Sequence, residues 1–482
     1  MASQNSGTEA GAFVISLRQR FRRPEASRGG AGEHAERGPS RKGRGRDRRT
    51  LFLRVAGDIL RISGAVGLAQ VLVFAMGPLI TRQYSPEAFG HFAFFGAMVT
   101  ILVPLASLRY EWALPLPAED SSALDLLALC VVVVAAFSLA VAALALLLWP
   151  IVVAWTNIGA TEMMLLPLAV FAVGLHAVVT GWLVRHRAFS QLARIRFITM
   201  VGAAAGQIAI GMIAAGPTSL ILGFVGGYTI GLTLAVYQCR RALLASAARL
   251  QPRRMRRVAA EYRAFAIITA PSGVVNAVGS QLPSMILPSL YGLAITGQYS
   301  LAQRALGQPT VFVGQAVNQV LWSNAARLVA DEPASLWPLF LRLNILLAAV
   351  MAPGFVLIWF GPEIFGFVFG AAWRQAGGFA GVLIVASFLG LIAQGTTSLH
   401  VYRLNHWMCA WEFVYLVLVI AALAAGAQLS LSPMTCIVAL TAALVTAHAL
   451  LLGLNVRAIR RVKLQSGAGG SGDVGINSVS RG

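Results

Sequence analysis

The sequence predicts an all-α polytopic membrane protein, with about 12 transmembrane helices in two six-helix lobes around a central cavity. Three observations predict it. Of 482 residues, 57% are hydrophobic and only 12% charged, where soluble domains carry about 25% charged residues. Apolar runs of about 20 residues, each enough to cross a hydrocarbon core, follow one another with short polar breaks. A basic stretch, Arg240–Arg263, divides those runs six and six.

The runs lie at roughly 57–81, 89–116, 122–149, 164–184, 194–215, 219–239, 264–290, 297–322, 339–360, 380–402, 408–428 and 432–456. They are continuous rather than alternating, which favours helices over barrel strands. Residues 1–54 hold 13 of the 38 Lys+Arg and few apolar side chains, and are expected to be a disordered basic tail. Arg48-Arg49 precedes Leu51-Phe52-Leu53 as in a twin-arginine signal, but the run that follows is full length and no convincing cleavage site follows it. The expected organisation is a tail (1–54), an N-terminal lobe (55–239), a basic cytoplasmic linker (240–263), a C-terminal lobe (264–456) and a second cytoplasmic tail (457–482).

The net charge of +20 follows topology. With the N-terminus inside, one set of loops carries Arg109, Arg185, Arg187, Arg194, Arg196, the 240–263 stretch, Arg327 and Arg403, and the other only Arg82 and Arg374. This is the positive-inside asymmetry, with both termini cytoplasmic. Nucleic acid is therefore not an expected partner. The four cysteines (Cys130, Cys239, Cys409, Cys436) have no paired spacing, so neither a disulfide framework nor a metal site is expected.

The halves echo each other. Tyr84, Gly90 and Phe92 follow the first run; Tyr291, Gly297 and Tyr299 follow the seventh, 207 residues later. Even numbers of spans make such repeats run the same way, related by an axis along the membrane normal. No phosphate-binding loop, zinc motif or nucleophile elbow is present, and no inter-span loop has room for a catalytic domain. Neither an enzyme nor a cofactor is expected.

Polar residues inside the spans carry the functional expectation, because each costs about 2.5 kcal/mol or more if ionisable at mid-membrane. At about 100° per residue, Arg304, Gln308, Gln315, Asn318 and Gln319 share one side of the eighth span. Either helix–helix hydrogen bonding or a wetted cavity accounts for such a stripe, and an Arg with four amides favours the cavity. Thr269, Ser272, Asn276 and Ser280 form a milder stripe on the seventh span. Asp58 and Arg61 stand three apart near the cytoplasmic end of the first span, as a cavity site or an interfacial pair. Arg109 and Glu111, at the end of the second span, read as a loop ion pair, and His176 as a packing residue.

Leu79-Ile-Thr-Arg-Gln-Tyr-Ser-Pro-Glu-Ala-Phe-Gly90-His-Phe92, Leu105-Ala-Ser-Leu-Arg109-Tyr-Glu111-Trp-Ala-Leu-Pro and Gly297-Gln-Tyr299-Ser-Leu-Ala-Gln-Arg304 resemble the motifs of bacterial oligosaccharide (O-antigen type) flippases. These are polysaccharide exporters of the multidrug/oligosaccharidyl-lipid/polysaccharide superfamily. The resemblance spans roughly residues 55–460. It implies two six-helix lobes in a V, alternating access, and a polyprenyl-diphosphate-linked oligosaccharide carried across the inner membrane for O-antigen, lipopolysaccharide or exopolysaccharide biosynthesis. Implied partners are that substrate, membrane lipids, and a polymerase and glycosyltransferases of the same pathway. The expected binding residues are Arg304, Gln308, Gln315, Asn318, Gln319, Asn276, Asp58 and Arg61. Two rival readings are a drug or cation exporter of the same superfamily, which would want buried carboxylates, and a polysaccharide polymerase. A polymerase would want a large external loop; the longest here, roughly 361–379, carries only Arg374.

Overall fold

The computed structural model describes residues 67–156, 159–331, 335–397, 399 and 404–468; the side chains of 149, 152–156, 308–316, 318–331, 395, 405 and 462–468 fall outside that description. Among the described residues the chain is helical, with no strand. Among the described residues, ten helices are long and apolar enough to cross a membrane.

The first half runs through α1 (67–83), α2 (Pro86–Ala106), α3 (Asp120–Thr156), α4 (Ala160–Arg185), α5 (Phe189–Gly211) and α6 (Pro217–Ala247). A short amphipathic helix, α7 (Pro252–Glu261), occupies the basic linker. A π-turn at Phe265–Thr269 leads into a helical run, Ala270–Asp331, broken at Gly292 into α8 (270–291) and α9 (293–331). Gly292 has φ +83°, a left-handed conformation that glycine adopts at little cost, and it turns the chain between two spans. α10 (Leu336–Met351) and α11 (Leu357–Phe369) are joined by a 3-10 segment containing Pro353, and α12 (Arg374–Gly395), α13 (Asn405–Gln428) and α14 (Pro433–Ala468) complete the second half.

The spans expected from hydropathy overlap these helices but not always their ends: the second, expected to reach 116, stops at Ala106, the last, expected to stop at 456, runs to Ala468, and the first is described only from 67. A difference of another kind lies near the tenth. There the stretch expected as an external loop, 361–379, is mostly helix. α11 continues to Phe369, Gly370 makes the turn at φ +110°, and α12 begins at Arg374. The turn is only a few residues long because glycine reverses the chain there without steric cost.

Local signals explain the boundaries. Ser85 caps α2, its Oγ accepting from Ala88 N at 3.2 Å, with Pro86 in the first turn and Glu87 beside the positive end of the helix dipole. Within the first half, α5 and α6 pack through small residues: a Cβ at Gly223 would collide with Gln207, and one at Gly227 with Ala203. This is how spans approach when lipid supplies no hydrophobic drive. On α3, Leu139 and Leu147 are each 72% exposed, a surface suited to lipid rather than water.

The two halves meet chiefly through α2, which lies against the α8–α9 hairpin. A Cβ on Gly90 would run into the Leu293 carbonyl, and one on Gly297 into the Pro86 carbonyl. The 207-residue repeat thus relates both partners of one contact, Gly90 to Gly297 and Pro86 to Leu293. Around it, Trp373 donates from Nε1 to Thr81 O at 2.8 Å and stands edge-on to Phe89 at 4.8 Å, and Arg82 Nη2 donates to Phe367 O at 3.3 Å. All of these residues lie toward the α1–α2 turn, so the halves are closed at that end.

Candidate substrate cavity between the lobes

Beyond the glycine contact the halves part. A cavity of about 540 Å³ opens between them, from Phe92 along α2 to Arg109 past its end. The first-half wall includes Phe92, Thr100 and Val103 of α2, with Phe224 and Tyr228 of α6 behind them. The second-half wall is more polar: Asn276, Ser280, Gln281 and Ser284 from α8, and Ser300, Gln303 and Arg304 from α9. Two arginines, Arg109 and Arg304, line the space, and among the described residues no Asp or Glu does.

Arg304 is exposed to this cavity. Its guanidinium carbon lies 4.6 Å from the centre of the Phe92 ring, which holds the cation by the ring's quadrupole without neutralising its charge. Phe92 belongs to the first half and Arg304 to the second, so the contact spans the two halves.

Arg109 is the functional candidate that sequence reasoning missed. It reaches the cavity because Leu108 and Arg109 both take left-handed backbone (φ 49° and 59°), at about 1–3 kcal/mol each for non-glycine residues. That bend folds the side chain back over the second half, where Gly273 makes room; a Cβ there would lie 2.9 Å from Arg109 Nη2. The guanidinium carbon is 4.7 Å from the Trp112 ring centre, and Nη1 is 3.7 Å from Glu111 Oε1. Arg109 Nε is buried without a hydrogen-bond partner. Glu111 is held in turn by Ser107, whose Oγ donates to Oε2 at 2.5 Å. Burial pushes the Glu111 carboxyl above its ordinary pKa, against the opposing pull of the Ser107 hydrogen bond and Arg109. The Arg109–Glu111 pairing expected from sequence is present, but it shapes a cavity wall rather than a peripheral loop.

The remaining expected residues divide. Asn276 lines the same cavity as Arg304. Gln308, Gln315, Asn318 and Gln319 lie on the α9 backbone that continues from Arg304, with side chains outside the described residues. Asp58 and Arg61 lie outside the described residues altogether. His176 meets Thr199 Oγ1 at 3.4 Å and stands edge-on to Tyr228, so it stays among packing residues. A second buried pair carried no sequence signal. His91 Nδ1 lies 2.9 Å from Glu162 Oε2, joining α2 to α4 inside the first half. Among the described residues no group of three or more His, Cys, Asp or Glu gathers as a metal site would require.

The fold is similar to that of solved MOP-superfamily transporters. A multidrug resistance MATE family transporter of that superfamily, in an inward-facing conformation, matches with a TM-score of 0.64 at 11% identity, covering 82% of this chain and 96% of the other. The lipid II flippase MurJ, in an inward closed conformation, matches at 0.63 and 16% identity, covering 84% and 90%. A MOP superfamily transporter from Pyrococcus furiosus, described as having a binding pocket of reverse polarity, matches at 0.54 and 12% identity, covering 84% and 96%. No curated protein sequence matches significantly. The family model for polysaccharide biosynthesis proteins matches residues 79–377. The chain belongs to that family.

Proposed function

We propose that this protein carries a polyprenyl-diphosphate-linked oligosaccharide from the cytoplasmic to the outer leaflet of a bacterial inner membrane, by alternating access of its two lobes. The observation that carries the proposal is the cavity's charge: Arg109 and Arg304 line it and, among the described residues, no carboxylate does. A diphosphate wants forked, permanently charged donors, which arginine supplies. The amides and hydroxyls of Asn276, Gln281, Gln303 and Ser300 suit sugar hydroxyls, and further amides follow Arg304 along α9. The lipid tail stays in the bilayer, so an open cavity suffices. Membership of the polysaccharide biosynthesis family agrees with a glycan cargo.

In this reading the closed glycine contact acts as the pivot and the Arg109 end is the cytoplasmic entrance. Substrate bridging Arg109 and Arg304 would draw the lobes together there and release the opposite end. Loops rich in arginine at the Arg109 end fit a cytoplasmic orientation of that face. Export for O-antigen, lipopolysaccharide or exopolysaccharide assembly, alongside glycosyltransferases and a polymerase, completes the proposal.

A drug exporter is the second reading, favoured by the MATE-like fold. It would place a cation among like charges, which disfavours it. The deciding experiment measures flipping of a fluorescent polyprenyl-diphosphate glycan in proteoliposomes for wild type, Arg304→Ala and Arg109→Ala. Each loss removes charge-assisted hydrogen bonds of about 1.5–3 kcal/mol, so substrate affinity falls roughly ten- to a hundredfold. Unchanged flipping by both correctly inserted variants would exclude the diphosphate site. Cation efflux without glycan flipping would establish the second reading.

A further inference from the structure

The basic linker that divides the halves is folded, and one of its faces is not used by the protein. α7 packs its inner side on the first half. Val258 is buried, and the Ala259 carbonyl accepts from the Tyr110 hydroxyl at 3.3 Å. The preceding turn is pinned by Arg249, whose Nε donates to Asp125 Oδ1 of α3 at 2.7 Å. The outer side is different. At about 100° per residue, Arg253, Arg254, Arg256 and Arg257 share one side of the helix, and all four are exposed. Among the described residues no ion pair engages them.

Beside this charged face lies an apolar notch of about 470 Å³. Leu129 and Val132 of α3 form its floor, Met255 and Ala259 of α7 its wall, and Leu250 its roof, with Arg256 at the rim. The notch leads outward. Val132 is 39% exposed, and Leu139 and Leu146, one and two heptads further along α3, are 72% and 68% exposed. The floor is therefore continuous with an apolar stripe that only hydrocarbon would cover. An apolar groove opening onto lipid, with a cluster of unpaired arginines at its polar end, has the layout of one amphipathic anion.

We propose that α7 and α3 form a binding site for an anionic phospholipid of the surrounding leaflet, its acyl chain in the notch and its phosphate on Arg256 and the neighbouring arginines. Charge complementarity selects the headgroup, and continuity with the lipid-facing stripe supplies the chain. The site is separate from the inter-lobe cavity and does not depend on what that cavity carries. It places a bilayer lipid against the segment that joins the two halves.

The test uses the full chain in nanodiscs of mixed phosphatidylcholine and phosphatidylglycerol, released into native mass spectrometry. Wild type should retain phosphatidylglycerol several-fold in preference to phosphatidylcholine. The variant with Arg253, Arg254, Arg256 and Arg257 changed to Gln should lose that preference. Val132→Trp, which fills the notch from its lipid-exposed side and leaves every charge in place, should lose retention too. Thermal melting checks folding, and the single variant Arg256→Gln, with a partial loss expected, replaces the quadruple one if that fails to fold. Equal retention of both lipids by wild type overturns the proposal. So does preference undiminished by loss of the arginines, or preference lost with them but untouched by Val132→Trp, since the latter is diffuse attraction without a groove. Displacement of phosphatidylglycerol by a polyprenyl diphosphate at equal concentration would also overturn it, by assigning the notch to the transported lipid.

Discussion

Arg304 and Arg109 reach one cavity by different physical routes. Arg304 sits within a membrane span, where an unneutralised cation has no reason to stay unless it faces water or a ligand. Its place 4.6 Å above Phe92 keeps it oriented and charged. Its fork should matter as well as its charge. Arg304→Lys is expected to retain part of the flipping rate lost in the alanine variant, because a point charge replaces a bidentate donor; equal rates for lysine and arginine would show that charge alone suffices. Arg109 depends on the space above Gly273. Gly273→Ala asks the Arg109 guanidinium to shift, since the added Cβ would lie 2.9 Å from Nη2 and 3.0 Å from Nε, while no backbone stands in its way. Thermal stability should hold while flipping falls. Combined with Arg109→Ala, Gly273→Ala should add no further loss, because both act through one group. The sequence made Arg304 conspicuous as the charged member of a polar stripe along an otherwise apolar span. Arg109 had no such contrast: it follows the end of a span, where arginines are common, and nothing in Ser-Leu-Arg-Tyr-Glu announces two left-handed residues.

At the scale of elements, the contact between α2 and the α8–α9 hairpin joins the halves. Gly90 and Gly297 let the two backbones touch, and the obstruction beyond each is a carbonyl, which cannot rotate away as a side chain does. Gly297→Ala should therefore destabilise the protein by about 1–3 kcal/mol, as overpacking does, read as a lowered melting temperature in detergent. An unchanged melting point would show that the helices separate without cost. The repeat was legible in sequence as Tyr-x5-Gly-x-aromatic in both halves. That its two glycines face each other across the interface was not, because periodicity states what recurs and not what it meets. The turn at Gly370 shows the same limit from the other side. Hydropathy falls gradually there, while the backbone turns abruptly at one positive φ.

For the whole molecule, a closed end at the α1–α2 turn and an open cavity toward Arg109 describe one of the states alternating access requires. If the lobes rock about the glycine contact, tying the closed end must stop transport. Arg82→Cys and Phe367→Cys, on residues whose side chain and carbonyl meet at 3.3 Å, can be bridged with a short bismaleimide. Bridged protein should bind glycan yet cease to flip it, while the unbridged double variant remains active; full activity at complete bridging would exclude rocking at this end. The apolar, polytopic helical character and the internal repeat were determined by the sequence alone, because each is a property of consecutive residues or of their recurrence. The cavity was decided only by tertiary structure. Its charge comes from two arginines far apart in the chain, one brought in by a strained turn and the other set over a ring of the opposite half, and such proximity between distant segments has no local signature.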